Sequence, residues 1–347
     1  MMTAHTIRYY AAATLAPVVL LALGAVFGGF WALLGLLYMT ALAYSLDALT
    51  SFVRTTENGE AENGDANALS VVLALAHFAL LALAVWALTA GHLVFWERVL
   101  VFFGTGLFFG QISNANAHEL IHRADPTLRR LGTWVYITLL FGHHASAHPK
   151  VHHRHVASEN DPNSAPLGLS FYRFLPIAWL GSFTKGLNAE NELRARGRAD
   201  DLHPYALYIG GGIACLMVAG IIGGFGGVVK YLLLAAYATM QLLLSDYVQH
   251  YGLERRTDAH GNIEPVGPRH SWNSPQWFTS FLMLNAPRHS DHHAHPMRPY
   301  PALELSADMP VLPRSLPAMA TIALYPPLWH RIMDPRVEAV MDAPNLD

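Results

Sequence analysis

Histidine is the residue whose number and spacing could do chemistry. The chain has 20 of them in 347 residues, and nine fall into short clusters. His118 and His122 are four apart. His152 and His153 follow His148 by four and five positions, with Pro149 suited to a first helical turn. His250 closes the run Asp246-Tyr247-Val248-Gln249-His250-Tyr251-Gly252. His289, His292 and His293 lie between Pro287 and Pro296. Residues three or four apart share a helix face, so each cluster aims its imidazoles one way. Imidazole suits iron, zinc, copper and nickel alike, and ligand type alone does not choose among them. Number is more telling. One zinc takes about four ligands, whereas nine imidazoles suit a pair of six-coordinate ions with positions left open. Open positions beside a redox metal suit oxygen activation.

The remaining polar candidates take supporting roles. Glu119, Asp246 and Asp291 stand among the clusters and are expected to accept from the second ring nitrogen of a ligand, which fixes its tautomer. His143, His144, His155 and His295 flank the set as outer or surface groups. His5, His77, His92, His203, His260, His270 and His330 read as capping or surface residues. Cys215 is the only cysteine, which excludes a disulfide framework, a cysteine zinc site and an iron–sulfur cluster held by this chain alone. It reads as a small buried hydrophobe.

The elements that must carry these residues are membrane helices. The chain is 52% hydrophobic and 14% charged, against about a quarter charged in soluble domains. Apolar runs of spanning length predict six helices, over 11–27, 29–47, 67–89, 95–116, 204–222 and 228–248. Gly28-Gly29 and Gly223–Gly227 are the expected turns, and 48–66 is an acidic loop with Glu57, Glu60, Glu62 and Asp65. The first span reads as a retained helix, since a second follows at once. The histidines follow spans four and six. Six spans put both termini and all Lys and Arg except Arg98 and Lys230 on one side, which is therefore cytoplasmic. The expected architecture is all-α. It is a single integral membrane domain over 1–347, a six-transmembrane-helix bundle whose cytoplasmic histidine-rich parts, 117–203 and 249–347, form a cap over the metals. A net charge of -3 gives no reason to expect nucleic acid.

These motifs resemble the membrane alkane hydroxylase (alkane 1-monooxygenase) family, within the wider fatty acid desaturase and hydroxylase group. The resemblance rests on the His118–His122 block and on Val151-His152-His153-Arg154-His155-Val156-Ala157-Ser158-Glu159-Asn160-Asp161-Pro162. It rests also on His250-Tyr251-Gly252-Leu253 and on Arg288-His289-Ser290-Asp291-His292-His293-Ala294-His295-Pro296. Leu46-Asp47-Ala48-Leu49 resembles a further family element. The likeness runs from about 40 to 300. It implies a non-haem di-iron centre, two Fe ions held by His118, His122, His148, His152, His153, His250, His289, His292 and His293. It implies O2-dependent hydroxylation of the terminal methyl group of alkanes or similar hydrophobic substrates, in a bacterial inner membrane with the active site facing the cytoplasm. Substrate would arrive from membrane lipid through an apolar tunnel. No glycine-rich dinucleotide motif or flavin signature is present, so electrons would come from a rubredoxin-type carrier and its NADH-dependent reductase. Arg123, Arg129, Arg130, Lys150 and Arg154 offer a docking patch for an acidic carrier.

The chain departs from the family pattern at Ala147, Val151, Asp246 and Gln249, where the family usually has Glu, Gly, Asn and Glu. A related di-iron hydroxylase or desaturase acting on aromatic methyl, terpenoid or fatty-acyl substrates is the alternative. His118-Glu119-Leu120-Ile121-His122 also matches the zinc-protease pattern of two histidines around a general-base Glu, but that reading leaves seven clustered histidines without a use. Haem held between spans is the third alternative, and the position of the histidines at span ends argues against it.

Overall fold

In the computed structural model, residues 3–50, 63–197, 202–258 and 260–342 are described. The predicted loop acids Glu57, Glu60 and Glu62 and the side chain of His5 lie outside the described residues. Among the described residues the fold is helical, with only two isolated bridges, Thr257 to Ile263 and Asn273 to Val311.

Helix α1 (Thr3–Phe27) and α2 (Gly29–Leu49) form an antiparallel pair turned at Gly28, whose φ of 63° suits glycine. Glu97 fastens this turn. Its Oε1 accepts from Gly29 N at 2.7 Å, and its Oε2 accepts from Val94 N at 2.9 Å. Helix α3 (Asn63–Thr89) follows. Helix α4 (Phe95–Phe108) continues through a π turn, Phe109–Ser113, into α5 (Asn114–Ile121). Helices α6 (Pro126–Thr138) and α7 (Phe171–Ala195) come next, and then α8 (Pro204–His250). Helix α8 is two helices joined where Gly223 and Gly224 leave helical angles. The short helices α9 (Trp277–Leu282), α10 (His289–Ala294) and α11 (Leu316–Ala323) precede the last, α12 (Pro326–Asp342).

Four of these segments are long and apolar enough to cross a bilayer: Ile7–Phe27, Gly29–Leu49, Gly64–Thr89 and Pro204–His250. They coincide with the expected spans 11–27, 29–47, 67–89 and the 204–222 and 228–248 pair. The expected span 95–116 is the α4–α5 rod, which its π turn divides. The predicted glycine turn is shorter than the 223–227 motif, because the helix resumes directly after Gly224. Large apolar side chains cover the outside. Ile221 is 84% and Phe225 85% exposed, an arrangement that only a lipid surround makes favourable.

The interior holds polar fasteners. His77 is buried, not a surface residue as expected. Its Nδ1 lies 2.9 Å from Ser113 Oγ and its Nε2 2.8 Å from Thr138 Oγ1, which ties α3 to the π turn and to α6. Asp47 is buried and caps α9. It accepts from Phe278 N and Thr279 N, each at 3.0 Å, and from the Thr279 hydroxyl. Helix α12 docks against the end of α8. Tyr251 Oη donates to Asp334 Oδ1 at 2.7 Å, lies 2.7 Å from His330 Nδ1 and accepts from Gly168 N at 2.9 Å. Cys215 is partly buried against the apolar core.

Candidate metal centre

The nine clustered histidines meet at one end of the bundle. They sort into two groups, one of His118, His122, His148, His153 and His292, and one of His152, His250, His289 and His293. Within each group the ligand atoms lie within 4.8 Å of one another. The four-nitrogen group is enclosed on all sides, while His118 and His153 of the other are partly exposed.

Local helix geometry makes this sorting. His148–His152 is a π turn, whose wider winding suits i,i+5 neighbours. His148 Nε2 and His153 Nε2 accordingly face each other at 2.9 Å, and His152 is turned toward the other group. On α10, His289 and His293 join one group and His292 the other. His118 and His122 stay together at the end of α5. Glu190 on α7 anchors the π turn by pairing with Lys150 and accepting from the Ser146 hydroxyl.

Nitrogen faces nitrogen throughout. His118 Nε2 is 2.6 Å from His148 Nε2, and His153 Nε2 is 3.1 Å from His292 Nε2. His289 Nε2 is 3.0 Å from His250 Nε2 and 3.1 Å from His293 Nε2. A metal with nitrogens at about 2.0–2.1 Å sets adjacent ligands about 3 Å apart at right angles, and the spacing fits that. The Nε2 atoms of His122 and His152 and the Nδ1 atoms of His148, His153, His289 and His293 are buried with no partner. Unpaired buried polar atoms are costly, and a cation among the Nε2 atoms would give those of His122 and His152 a partner and remove the conflict of lone pairs between the facing ones. Burial pushes the ring of His122 down to about 3. Burial and then the neighbouring imidazoles push His118, His148, His153, His289, His292 and His293 the same way. The rings are therefore neutral, the form that binds metal.

His152 is the exception. Burial would lower it, but Asp161 Oδ2, 2.8 Å from its Nδ1, outweighs burial and raises it. Asp161 is in turn held low by His152 against its own burial. This carboxylate orients the ring so that Nε2 faces the group. Asn163 extends the chain of contacts, donating its amide N–H to Asp161 Oδ1 at 3.1 Å and its Nδ2 to Asp246 Oδ2 at 2.7 Å.

The three acids expected to accept from ligand rings are engaged elsewhere. Glu119 pairs with Arg123 and accepts from Tyr300 N at 3.0 Å. Asp291 holds Arg298 and the exposed His295 and accepts from Glu304 N. Asp246 accepts from Asn163. For Glu119 and Asp291 the reason is steric order, because the i+1 and i−1 neighbours of a ligand point away from it on a helix, whereas Asp246 is taken up by the Asn163 amide. The same fact weakens the zinc-protease reading, since Glu119 is committed to an arginine. His144 is buried, with its ring centroid 4.9 Å from that of His148, and stands outside both groups. His143 faces Ser182, and His155 is half-buried.

Against the metal end lies a cavity of about 450 Å³. His118, His148 and His289 form its polar end, and α2, the α4–α5 rod, α8 and α11 supply its walls.

An all-helical bundle with apolar helices of spanning length and a histidine-built, non-haem metal centre defines the class. Residues 95–323 match the Fatty acid desaturase family, and the chain belongs to that family. Among individual proteins it is 33% identical over 288 residues to alkane 1-monooxygenase 1 of Pseudomonas aeruginosa, covering 77% of this chain and 74% of that one. It is 35% identical over 246 residues to the alkane 1-monooxygenase of Acinetobacter baylyi, covering 70% of this chain and 60% of that one. It is 25% identical over 230 residues to the xylene/toluene monooxygenase hydroxylase component of Pseudomonas putida, covering 62% and 58%. The chain thus spans about three-fifths of the Acinetobacter relative's length.

Proposed function

We propose that this chain is a membrane di-iron monooxygenase that hydroxylates the terminal methyl group of alkanes or similar hydrophobic substrates. The observation that carries this reading is the contact between two groups of imidazole nitrogens and one apolar-walled cavity. The likeness to alkane 1-monooxygenases supports it. Two Fe ions are proposed, one in each group. The reaction is RH + O2 + 2 electrons + 2 protons giving ROH and water. When bound, the iron pair supplies the reduction and cleavage of O2. The nine imidazoles would hold the metals, five in one group and four in the other. The cavity walls seat the hydrocarbon, keep water away and present its end to His118, His148 and His289. Asp161 fixes the His152 ring.

The electrons are proposed to come from a rubredoxin-type carrier and its NADH-dependent reductase. Arg130 and Arg154 are exposed and offer charge to an acidic carrier, Arg129 is exposed but donates to the Arg123 and Ala124 carbonyls, and Arg123 and Lys150 are committed to Glu119 and Glu190. The chain is read as one integral membrane domain of six spans in the bacterial inner membrane, with the α4–α5 rod and the two halves of α8 each crossing once. Its metal end then faces the cytoplasm, because the positive charge lies there. Aromatic methyl, terpenoid or fatty-acyl substrates form the second reading, favoured by the likeness to the xylene/toluene monooxygenase component. The test is metal analysis and product identification on one reconstituted preparation. Two irons per chain and a primary alcohol from an n-alkane support the first reading. Products only from alkylbenzenes or fatty acyl chains support the second. One zinc and no oxygenated product would reject both.

A further inference from the structure

The cavity follows single stripes of the helices that wall it. On the α4–α5 rod it runs from His118 through Asn114 and Gln111 to Leu107, and on α8 from Gln249 through Ser245 and Gln241 to Tyr237. At 1.5 Å rise per residue, His118 to Leu107 is about 16 Å. No residue of the rod or of α8 farther from the histidines lines it. The reason is an interlock between the two helices. The Tyr237 ring lies over Gly106, and the Gln241 amide lies over Gly110 one turn nearer the metal end, where a Cβ on either glycine would collide with it. Gln241 Nε2 donates to Gly106 O at 2.9 Å, which holds the two helices at this approach. Beyond the notch, Tyr237 stacks on Phe102 at 6.0 Å between centroids and meets Phe103 edge-on at 5.6 Å.

The geometry points to Tyr237 as the stop that sets how long a linear substrate can lie straight in the cavity. This inference rests on the hydrocarbon reading above. A chain with its reacting methyl at the histidine end runs down the stripe until it meets the phenol ring, and any longer chain must bend out toward lipid. The ring cannot yield toward the rod, because the Gly106 backbone is directly beneath it. Leu107 lines the same end of the cavity. Specificity for length is then a property of a helix contact far from the metals.

The test measures binding as well as turnover. The n-alkane series is titrated into metal-free and iron-loaded protein in detergent, and the longest chain that still gains affinity over its predecessor is recorded. Tyr237→Ala is expected to move this cutoff up by about three carbons, the reach of the deleted ring, with about fourfold more affinity for each methylene newly admitted. Tyr237→Phe keeps the ring and is expected to leave the cutoff in place, while Leu107→Phe is expected to lower it. Iron content should be unchanged in all three. Alkanes that bind with the same cutoff in wild type, Tyr237→Ala and Leu107→Phe overturn the stop and leave the hydrocarbon reading standing. A folded wild type that takes no linear chain of any length overturns both.

Discussion

His152 differs from the other eight imidazoles in having a carboxylate on its second nitrogen. Asp161 is therefore the residue most exposed to a simple test. Asp161→Asn keeps the shape and removes the charge, and losing such an outer partner costs about 10–100-fold in metal affinity. Iron titrated back into chelator-stripped protein should show one of the two sites weakened by that factor and the other unchanged. The nine histidines were legible because helical spacing announces them. Asp161 was not, because it lies nine positions past His152 across a bend, and no periodicity connects the two. Glu119 illustrates the opposite error. Its place between two histidines suggests chemistry, yet its carboxylate is spent on Arg123 inside the fold. Breaking a buried ion pair from one side costs about 3–5 kcal/mol, so Arg123→Ala should lower the melting temperature markedly. Arg123→Ala in a Glu119→Gln background should cost much less, since no buried charge is then stranded.

At the scale of elements, hydropathy and glycine marked the long helices well, including the α1–α2 turn and the break in α8. The π turns were invisible, because a π turn has no composition of its own and appears only where packing demands it. One of them decides which histidines face each other across five positions. Helix α7 was also missed. Its charged face hides it from a search for apolar runs, although it supplies the Glu190 that anchors the π turn. Asp47 shows how one element seats another. It ends α2 and caps α9, the short helix that leads into α10. Asp47→Ala should cost about 1–2 kcal/mol, as a lost cap does. Hydrogen exchange at the Phe278 and Thr279 amides should quicken before exchange in α8 does. Equal quickening throughout the bundle would mean that the cap is not local.

Across the whole molecule, the metal end is assembled from parts far apart in the chain. Helix α5, the π turn, the end of α8 and α10 all contribute, and α12 closes over the tyrosine that follows His250. The fold class could be read before any coordinates, since the apolar runs leave few alternatives to a helical bundle. How the parts after His250 return to it could not, because short helices and irregular chain have no period to follow. Ending the chain at Tyr325 removes His330 and Asp334, and with them the brace on Tyr251. The truncated protein should still insert in membranes but retain less than half the iron of the full chain after gel filtration. Full iron retention would show that the brace is dispensable.

Tyr251 reaches forward to Asp334, across 83 positions of chain. A ribosome must therefore pass Asp334 before the turn beside His250 is secured. During synthesis the histidines of the early helices must wait for partners not yet made. Completion of the metal end is then a late event in the life of the chain.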